Sequence, residues 1–206
     1  MKPYVYLAGQ ITKNWWRNAL TDMEYMNVNE TRTPFVNVYN ENKDEYFYST
    51  YDCGNFIVTG PHAVGCDHRC YHDFLHAANG YCLGSGDVFV TKKEICDACC
   101  DQIKRADLLF AYIESEDAFG TFSEIGVARG FGKYIHILFQ TKKLAQKLWF
   151  LSVMADAFSI QDGENVPEIR KAFQKCLADY DTMKIKEMCK KAEFNMAQKE
   201  KSKKNK

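Results

Sequence analysis

Two short apolar runs, separated by a glycine-rich segment, set the architecture of the middle of this chain. The runs "DLLFAYI" (107–113) and "KYIHILF" (133–139) have the length and the aliphatic and aromatic content of buried strands. The segment "FSEIGVARGFG" (122–132) between them predicts a short helix. Parallel strands need a crossover connection of this kind, so the order strand, helix, strand predicts two parallel neighbours in one sheet.

Similar strand and helix patterns occur before and after this strand–helix–strand unit. Together they predict one α/β domain over residues 1–190, with a flavodoxin-like open parallel sheet of about five strands and helices on both faces. Residues 45–90, rich in Tyr, Gly, Cys and His, show no sustained period and are predicted to be an irregular insertion. Further strands are predicted at 4–9, 35–39 and 157–161, and helices at 12–27, 91–106, 142–156 and 166–194.

The composition limits the classes of partner that the chain is expected to bind. It has 206 residues and a formal net charge of zero, so no overall field favours nucleic acid or a membrane surface. Residues 184–206 carry nine lysines against three glutamates, and a basic tail over 191–206 is predicted to be a solvated helix end.

No apolar run approaches the roughly 20 residues of a membrane span. Nine cysteines without an export signal predict a cytoplasmic protein.

In open α/β sheets, ligands bind at the carboxyl ends of the strands. Residues 117–133, shortly after the strand at 107–113, hold two acids, Asp117 and Glu124. One interpretation of Glu124 is structural, since Thr121 and Glu124 match the T-x-x-E capping box of a helix start. The other is chemical, since paired carboxylates are the groups that split glycosidic bonds. A helix N-terminus at Gly120 also favours an ionised carboxylate and offers N–H groups to a ligand.

Two blocks of the chain carry a family resemblance. The strings "VYLAGQI" and "CDQIKRADLLFAYIESEDAFGTFSEIGVARGFGKYIHI" resemble the nucleoside 2-deoxyribosyltransferases, over roughly residues 3–10 and 96–137. The resemblance implies that Glu124 is a nucleophile, that Asp117 handles sugar hydroxyls and proton transfer, and that Tyr6 lies beside the nucleophile. It also implies a homo-oligomer whose neighbouring subunit completes the pocket.

The chain departs from the family pattern at two points. Two residues, rather than one, separate Asp117 from the Gly120-Thr121 pair, and Cys99 occupies the place of an acid that contacts the base. Asp101 or Asp97 is the expected substitute for that acid. The predicted substrate contacts are Gly9, Asp101, Gly120, Thr121, Asp67 and His68.

The insertion contains a cluster of possible metal ligands. Cys66, His68, Cys70, His72 and His76 have spacings of three and four residues, which share a face in a helix. The alternatives are a lid over the ligand, a zinc site and a plain structural loop. The spacing is not that of a standard zinc finger, so we predict the lid and no metal.

The residues and the resemblance together predict an enzyme that cleaves an N-glycosidic bond of a nucleoside or nucleotide through a glycosyl ester on Glu124. Transfer to a second base and hydrolysis both remain open, and no cofactor is required. One alternative is a nucleotide or NAD-type N-glycoside hydrolase with Arg17, Arg129 or Lys133 near the phosphate. The other alternative is a non-catalytic module that binds a nucleotide.

Overall fold

The computed structural model describes residues 2–10, 15–21, 29–35, 46–61, 92–161 and 166–204. Seven strands form one sheet in the order β2-β3-β4-β1-β5-β6-β7. The strands are β1 (Tyr4–Ala8), β2 (Asn29–Phe35), β3 (Tyr46–Asp52), β4 (Ile57–Thr59), β5 (Leu108–Ile113), β6 (Tyr134–Phe139) and β7 (Ala157–Ile160).

Five neighbouring strands of the sheet are parallel. They are β4, β1, β5, β6 and β7, and their order is 2-1-3-4-5 when they are numbered along the chain. The hairpin of β2 and β3 extends the sheet antiparallel to β4. The prediction of a mostly parallel α/β sheet is confirmed, but the count of about five strands was too low because the antiparallel hairpin was missed.

The hairpin corrects two details of the prediction. Of the strand predicted at 35–39, only Phe35, the last residue of β2, lies among the described residues, and β3 and β4 lie inside the segment predicted to be an irregular insertion. Tyr and Thr residues in "YFYSTYD" are good strand formers, and an antiparallel strand does not need the unbroken apolar run of a central parallel one. The remainder of that segment, from residue 62 onward, lies outside the described residues.

The helices flank the sheet on both faces, as predicted. They are α1 (Trp15–Thr21), α2 (Lys92–Arg105), α3 (Phe119–Gly130), α4 (Lys142–Lys147), α5 (Trp149–Met154) and α6 (Val166–Lys204). The core on one face includes Trp16 of α1 and Phe173 of α6. The core on the other face includes Ile103 of α2, Ile125 of α3 and Leu151 of α5. Successive residues of β1 and β5 alternate between these two cores, as the pleat of a strand requires.

Helix ends differ from the prediction in two places. The helix predicted at 142–156 is two short helices, which meet at Leu148. The last helix, α6, is 39 residues long and runs across the predicted boundary between residues 190 and 191. The helix alone does not test whether residues 191–206 act as a separate basic tail, so that tail stays a prediction. Among the described residues, no helix is long and apolar enough to cross a bilayer.

Candidate functional site at the carboxyl ends of β1 and β5

A pocket of about 270 Å³ opens where β1 and β5 end. The helix after β1 packs on one face of the sheet and the helix after β5 on the other, so the chain leaves a crevice between two neighbouring strands. Doubly wound sheets bind ligands at such a switch point. The pocket is lined by Gly9, Gln10, Pro61, Asp117, Ala118, Phe119, Gly120, Thr121 and Glu124.

The hydroxyl of Tyr6 holds the side chain of Glu124 in place with a hydrogen bond. The Tyr6 Oη donates to Glu124 Oε1 at 2.6 Å, and the tyrosine itself is fully buried in β1. Burial raises the pKa of Glu124 to about 7, although the Tyr6 hydrogen bond and the charge of Arg17 oppose that rise. Burial also raises the pKa of Tyr6. Near neutral pH, the carboxyl group can therefore either accept or donate a hydrogen bond.

Arg17 supports the loop that forms the rim of the pocket. Its Nη2 donates to the carbonyl oxygen of Gly9 at 2.7 Å, and its Nη1 donates to that of Gln10 at 3.0 Å. The guanidinium is fully buried and lies 4.4 Å from the ring centroid of Trp16. Burial lowers its pKa to about 10, against the attraction of Glu124, Tyr6 and Glu114. Arg17 is therefore a structural cation inside the protein.

A thiol completes the surroundings of Tyr6. Cys99 of α2 hydrogen-bonds to the Tyr6 side chain, and burial raises the pKa of the thiol well above its usual value. The thiol is consequently neutral, and it adds no negative charge beside Glu124. The acid that the family pattern places at position 99 is absent, and its expected substitute Asp101 forms an ion pair with Arg105 at 2.7 Å on the same helix.

The capping interpretation of Glu124 is wrong. α3 begins at Phe119, so Glu124 falls in its second turn, and Ala118 at the N-cap makes no side-chain capping bond. The first turn thus keeps backbone N–H groups without intrahelical acceptors. Gly120 and Thr121 of this turn line the pocket. The helix starts at Phe119, three residues before its predicted start at residue 122.

The structure brings together most of the predicted site. Gly9, Asp117, Gly120, Thr121 and Glu124 line one pocket. A hydrogen bond from Ser115 lowers the pKa of Asp117, so this exposed carboxylate is ionised at the rim. Asp67, His68 and the cysteines and histidines of the possible zinc cluster lie outside the described residues. Among the residues that the structure does describe, no group of three His, Cys, Asp or Glu side chains is placed to hold a metal.

No local sequence pattern indicates the roles of three contributors to the site. Arg17 is predicted only as a possible phosphate ligand, whereas its Nη1 and Nη2 donate to backbone carbonyl oxygens. Gln10 lines the pocket and donates to Ser115 Oγ at 2.8 Å. Pro61 enters from the end of β4. Such contacts join residues distant in sequence, and no local spacing marks them.

Replacing Gly9 with alanine is expected to destabilise the protein by about 1–3 kcal/mol, the usual cost of an overpacked core. The new Cβ would lie 2.7 Å from Cζ2 of Trp16 and 3.1 Å from the carbonyl oxygen of Tyr112. Gly126→Ala is the matched control, because nothing lies within 4 Å of its Cβ position. Urea denaturation of the two variants measures the difference. A Gly9→Ala variant as stable as Gly126→Ala would contradict the close packing of the Gly9 turn.

Comparison with known proteins gives structural similarity only. No family model and no curated protein matches the chain. The cytosolic domain of FeoB from L. pneumophila is 12% identical with a TM-score of 0.41, covering 84% of this chain and 67% of that chain. The FeoB G-domain of Methanococcus jannaschii is 14% identical with a TM-score of 0.43, covering 86% and 99%. The cytosolic domain of the FeoB iron transporter of T. maritima is 14% identical with a TM-score of 0.38, covering 85% and 64%.

These findings correct the family assignment. The predicted membership of the nucleoside 2-deoxyribosyltransferase family is wrong: no family model and no curated protein matches the chain, and the similar solved structures are FeoB domains. The predictions of a deoxyribosyltransferase or N-glycosidase and of a glycosyl ester on Glu124 are wrong with it. Of the small residues that suggested the family, Ala128 has a structural explanation, because it is fully buried in the core beneath α3. Close packing does not explain Gly120, Gly126 and Gly130, because nothing lies within 4 Å of their Cβ positions.

GTP binding does not carry over to this chain either. Similarity at these TM-scores and identities is too low to transfer a function. The P-loop pattern G-x-x-x-x-G-K-[ST], whose lysine contacts the phosphates, does not occur in the sequence. The spacing G-x-x-x-x-G does occur at Gly60 and Gly65, but Cys66 and Asp67 follow it in place of the lysine and the hydroxyl residue.

Proposed function

We propose that this protein is a binding domain for a nucleoside or nucleotide, held in the pocket at the carboxyl ends of β1 and β5. The sugar hydroxyls donate to Glu124 and Asp117, and the backbone N–H groups at the start of α3 receive a polar or phosphate oxygen. The proposal concerns binding and assigns no bond-breaking step. In this proposal Glu124 accepts hydrogen bonds from the ligand and does not act as a nucleophile.

The observation that carries the proposal is the fixed orientation of Glu124. One of its oxygens is held by Tyr6 Oη at 2.6 Å, while the residue also lines the pocket. A carboxylate accepts several hydrogen bonds, so acceptor capacity remains for the two neighbouring hydroxyls of a ribose. The flavodoxin-type order of the parallel strands supports the same location, because it puts the switch point between β1 and β5.

Charge favours the nucleoside portion as the main point of recognition. The described lining of the pocket includes Asp117 and Glu124 but no lysine or arginine. The nearby cation, Arg17, donates to the carbonyl oxygens of Gly9 and Gln10 inside the protein. A phosphate would therefore rely on the uncapped first turn of α3 alone, which attracts anions more weakly than a P-loop with its lysine.

The proposal includes a reducing, cytosolic setting. Five of the described cysteines, Cys96, Cys99, Cys100, Cys189 and the buried Cys176, are free thiols. Free thiols persist where the cell keeps cysteines reduced.

Calorimetric titration with adenosine, guanosine, AMP and GTP tests the proposal directly. We expect at least one of these ligands to bind, and Glu124→Gln to weaken that binding about 10- to 100-fold. That range corresponds to the loss of one hydrogen bond to a charged group, about 1.5–3 kcal/mol. Glu187→Gln is the matched control, because Glu187 is an exposed residue of α6, far along the chain from the pocket.

Two results would refute the proposal. One is the absence of binding for all four ligands by a folded protein. The other is a ligand whose affinity is the same in the parent, in Glu124→Gln and in Glu187→Gln, since that ligand would bind elsewhere. Release of free base or free phosphate during the titration, followed by chromatography, would show that binding alone is too narrow a description.

A further inference from the structure

The two edges of the sheet differ in the residues that they present. The edge strand β2, "NETRTPF", contains Glu30, Arg32 and Pro34. Charges and proline on an edge strand prevent another strand from pairing with it. The opposite edge strand β7, "AFSI", contains neither a charge nor a proline. The β7 edge therefore lacks the residues that keep other edge strands from pairing.

Exposed apolar side chains surround β7. Phe158 and Ile160 of the strand are 48% and 42% exposed. Trp149, Phe150 and Val153 of α5 are 62%, 61% and 71% exposed. Only the turn at residues 155 and 156 separates α5 from β7. Phe158 and Ile160 lie opposite Ile137 and Phe139 of β6, which belong to the same core as Leu151 of α5, so they point to the face of the sheet on which α5 packs. We call the five exposed residues the β7 surface.

The backbone of β7 has hydrogen-bonding groups that point away from the sheet. The N–H of Gln161 donates to the carbonyl oxygen of Phe139 at 2.8 Å, and Ser159 lies opposite Leu138. Inward and outward groups alternate along a strand, so the N–H groups of Phe158 and Ile160 face away from β6. Among the strands that the structure describes, none pairs with this outer edge of β7.

We infer that β7 pairs with β7 of a second copy of this chain, antiparallel about a two-fold axis. The pairing joins two sheets into one and satisfies the outward groups of Phe158 and Ile160 on both copies. A two-fold contact places residues opposite their own copies, which apolar side chains tolerate and like charges do not. The nearest acid, Asp156, already faces Arg129 at 3.8 Å, so it adds little repulsion.

The area of the β7 surface is sufficient for an interface with a second copy of the chain. A specific interface buries about 800 Å² on each partner. Aromatic side chains bury about 150–250 Å² each, so the exposed parts of three rings contribute roughly 300–400 Å². The aliphatic residues Val153 and Ile160 and the strand backbone add to this. The surface is therefore large enough for the apolar centre of a dimer interface, with polar neighbours at its rim.

Sedimentation velocity of the full chain over about a thousandfold range of concentration measures the dimer. We expect Phe158→Lys and Val153→Lys each to weaken dimerisation by about tenfold or more, because two lysines then face each other across the axis. The second variant lies on a helix surface, so it remains informative if the strand variant misfolds. Ile185→Lys is the matched control, since Ile185 is 61% exposed on α6, away from the β7 surface.

Hydrogen exchange supplies a second readout. In the parent, the amides of Phe158 and Ile160 should exchange more slowly at high concentration than at low concentration, and in Val153→Lys they should not. A chain that stays monomeric at every concentration overturns the inference. So does a dimer that survives both β7 variants, or one that Ile185→Lys weakens as much. These tests involve no ligand and are independent of the proposed function.

Discussion

Replacing Arg17 with methionine is expected to lower the free energy of unfolding by about 3–5 kcal/mol, the cost of removing one partner from a buried charged network. The guanidinium is fully buried and donates to the carbonyl oxygens of Gly9 and Gln10. Without it, those carbonyls lose their donors, and Glu124 loses the buried positive charge that opposes the rise of its pKa. The methionine fills much of the volume but offers no hydrogen bond.

Urea denaturation of Arg17→Met beside Arg105→Met measures this effect. Arg105 is 46% exposed and forms an ion pair with Asp101 at 2.7 Å, so its loss should cost at most about 1 kcal/mol. Ligand binding should weaken in the Arg17 variant as well, because the loop at Gly9 and Gln10 forms the rim of the pocket. Equal losses of stability in the two variants would show that the buried cation is not a support of the site.

The central part of the fold is predictable from sequence because its signals are local. β5 and β6 are unbroken apolar runs, and each is found within one residue of its predicted start. The β2–β3 hairpin was missed because antiparallel strands can carry polar residues on a solvated face and so lack an unbroken apolar run. Its pairing with β4 depends on contacts between segments far apart in the sequence, and no period in "YFYSTYD" reports them.

The site is predictable in position but not in chemistry. The rule that ligands bind at the carboxyl ends of parallel strands located Gly9, Gly120 and Glu124 in one pocket. The function assigned to them came from a short motif of glycines, alanine and acids. Those residue types also suit any crossover helix that packs closely on a sheet, so the motif is less specific than its length suggests. Arg17 and Cys99, which set the electrostatics around Tyr6, carry no motif.

Two buried groups give the protein opposing responses to pH. The pKa of Glu124 is raised to about 7 from an ordinary value of 4.5, chiefly by burial. Its contribution to stability is full below pH 4.5 and is lost as pH rises through 7. Burial lowers the pKa of His136 to about 4 from 6.5, with the charge of Lys175 adding to the effect and that of Asp179 opposing it. Its contribution is full above pH 6.5 and is lost as pH falls through 4.

Single substitutions should separate the two responses. In the parent they oppose each other between about pH 4.5 and 6.5, so the free energy of unfolding should change little there. In Glu124→Gln the free energy of unfolding should rise by about 1–3 kcal/mol from pH 4 to 6.5, because only the fully buried His136 then responds to pH. In His136→Gln it should fall from pH 4.5 to 7, by a smaller amount because Glu124 keeps part of its surface in the pocket.

Urea denaturation at half-unit steps of pH measures these slopes, and the slope is diagnostic even if a variant is less stable overall. His136 Nε2 lies 3.0 Å from Ser159 Oγ, and glutamine retains a polar group for this contact. The double variant Glu124→Gln with His136→Gln should be flat again over the same range. A double variant that keeps either slope would trace the pH response to other groups, and the assignment of these two pKa shifts would then be wrong.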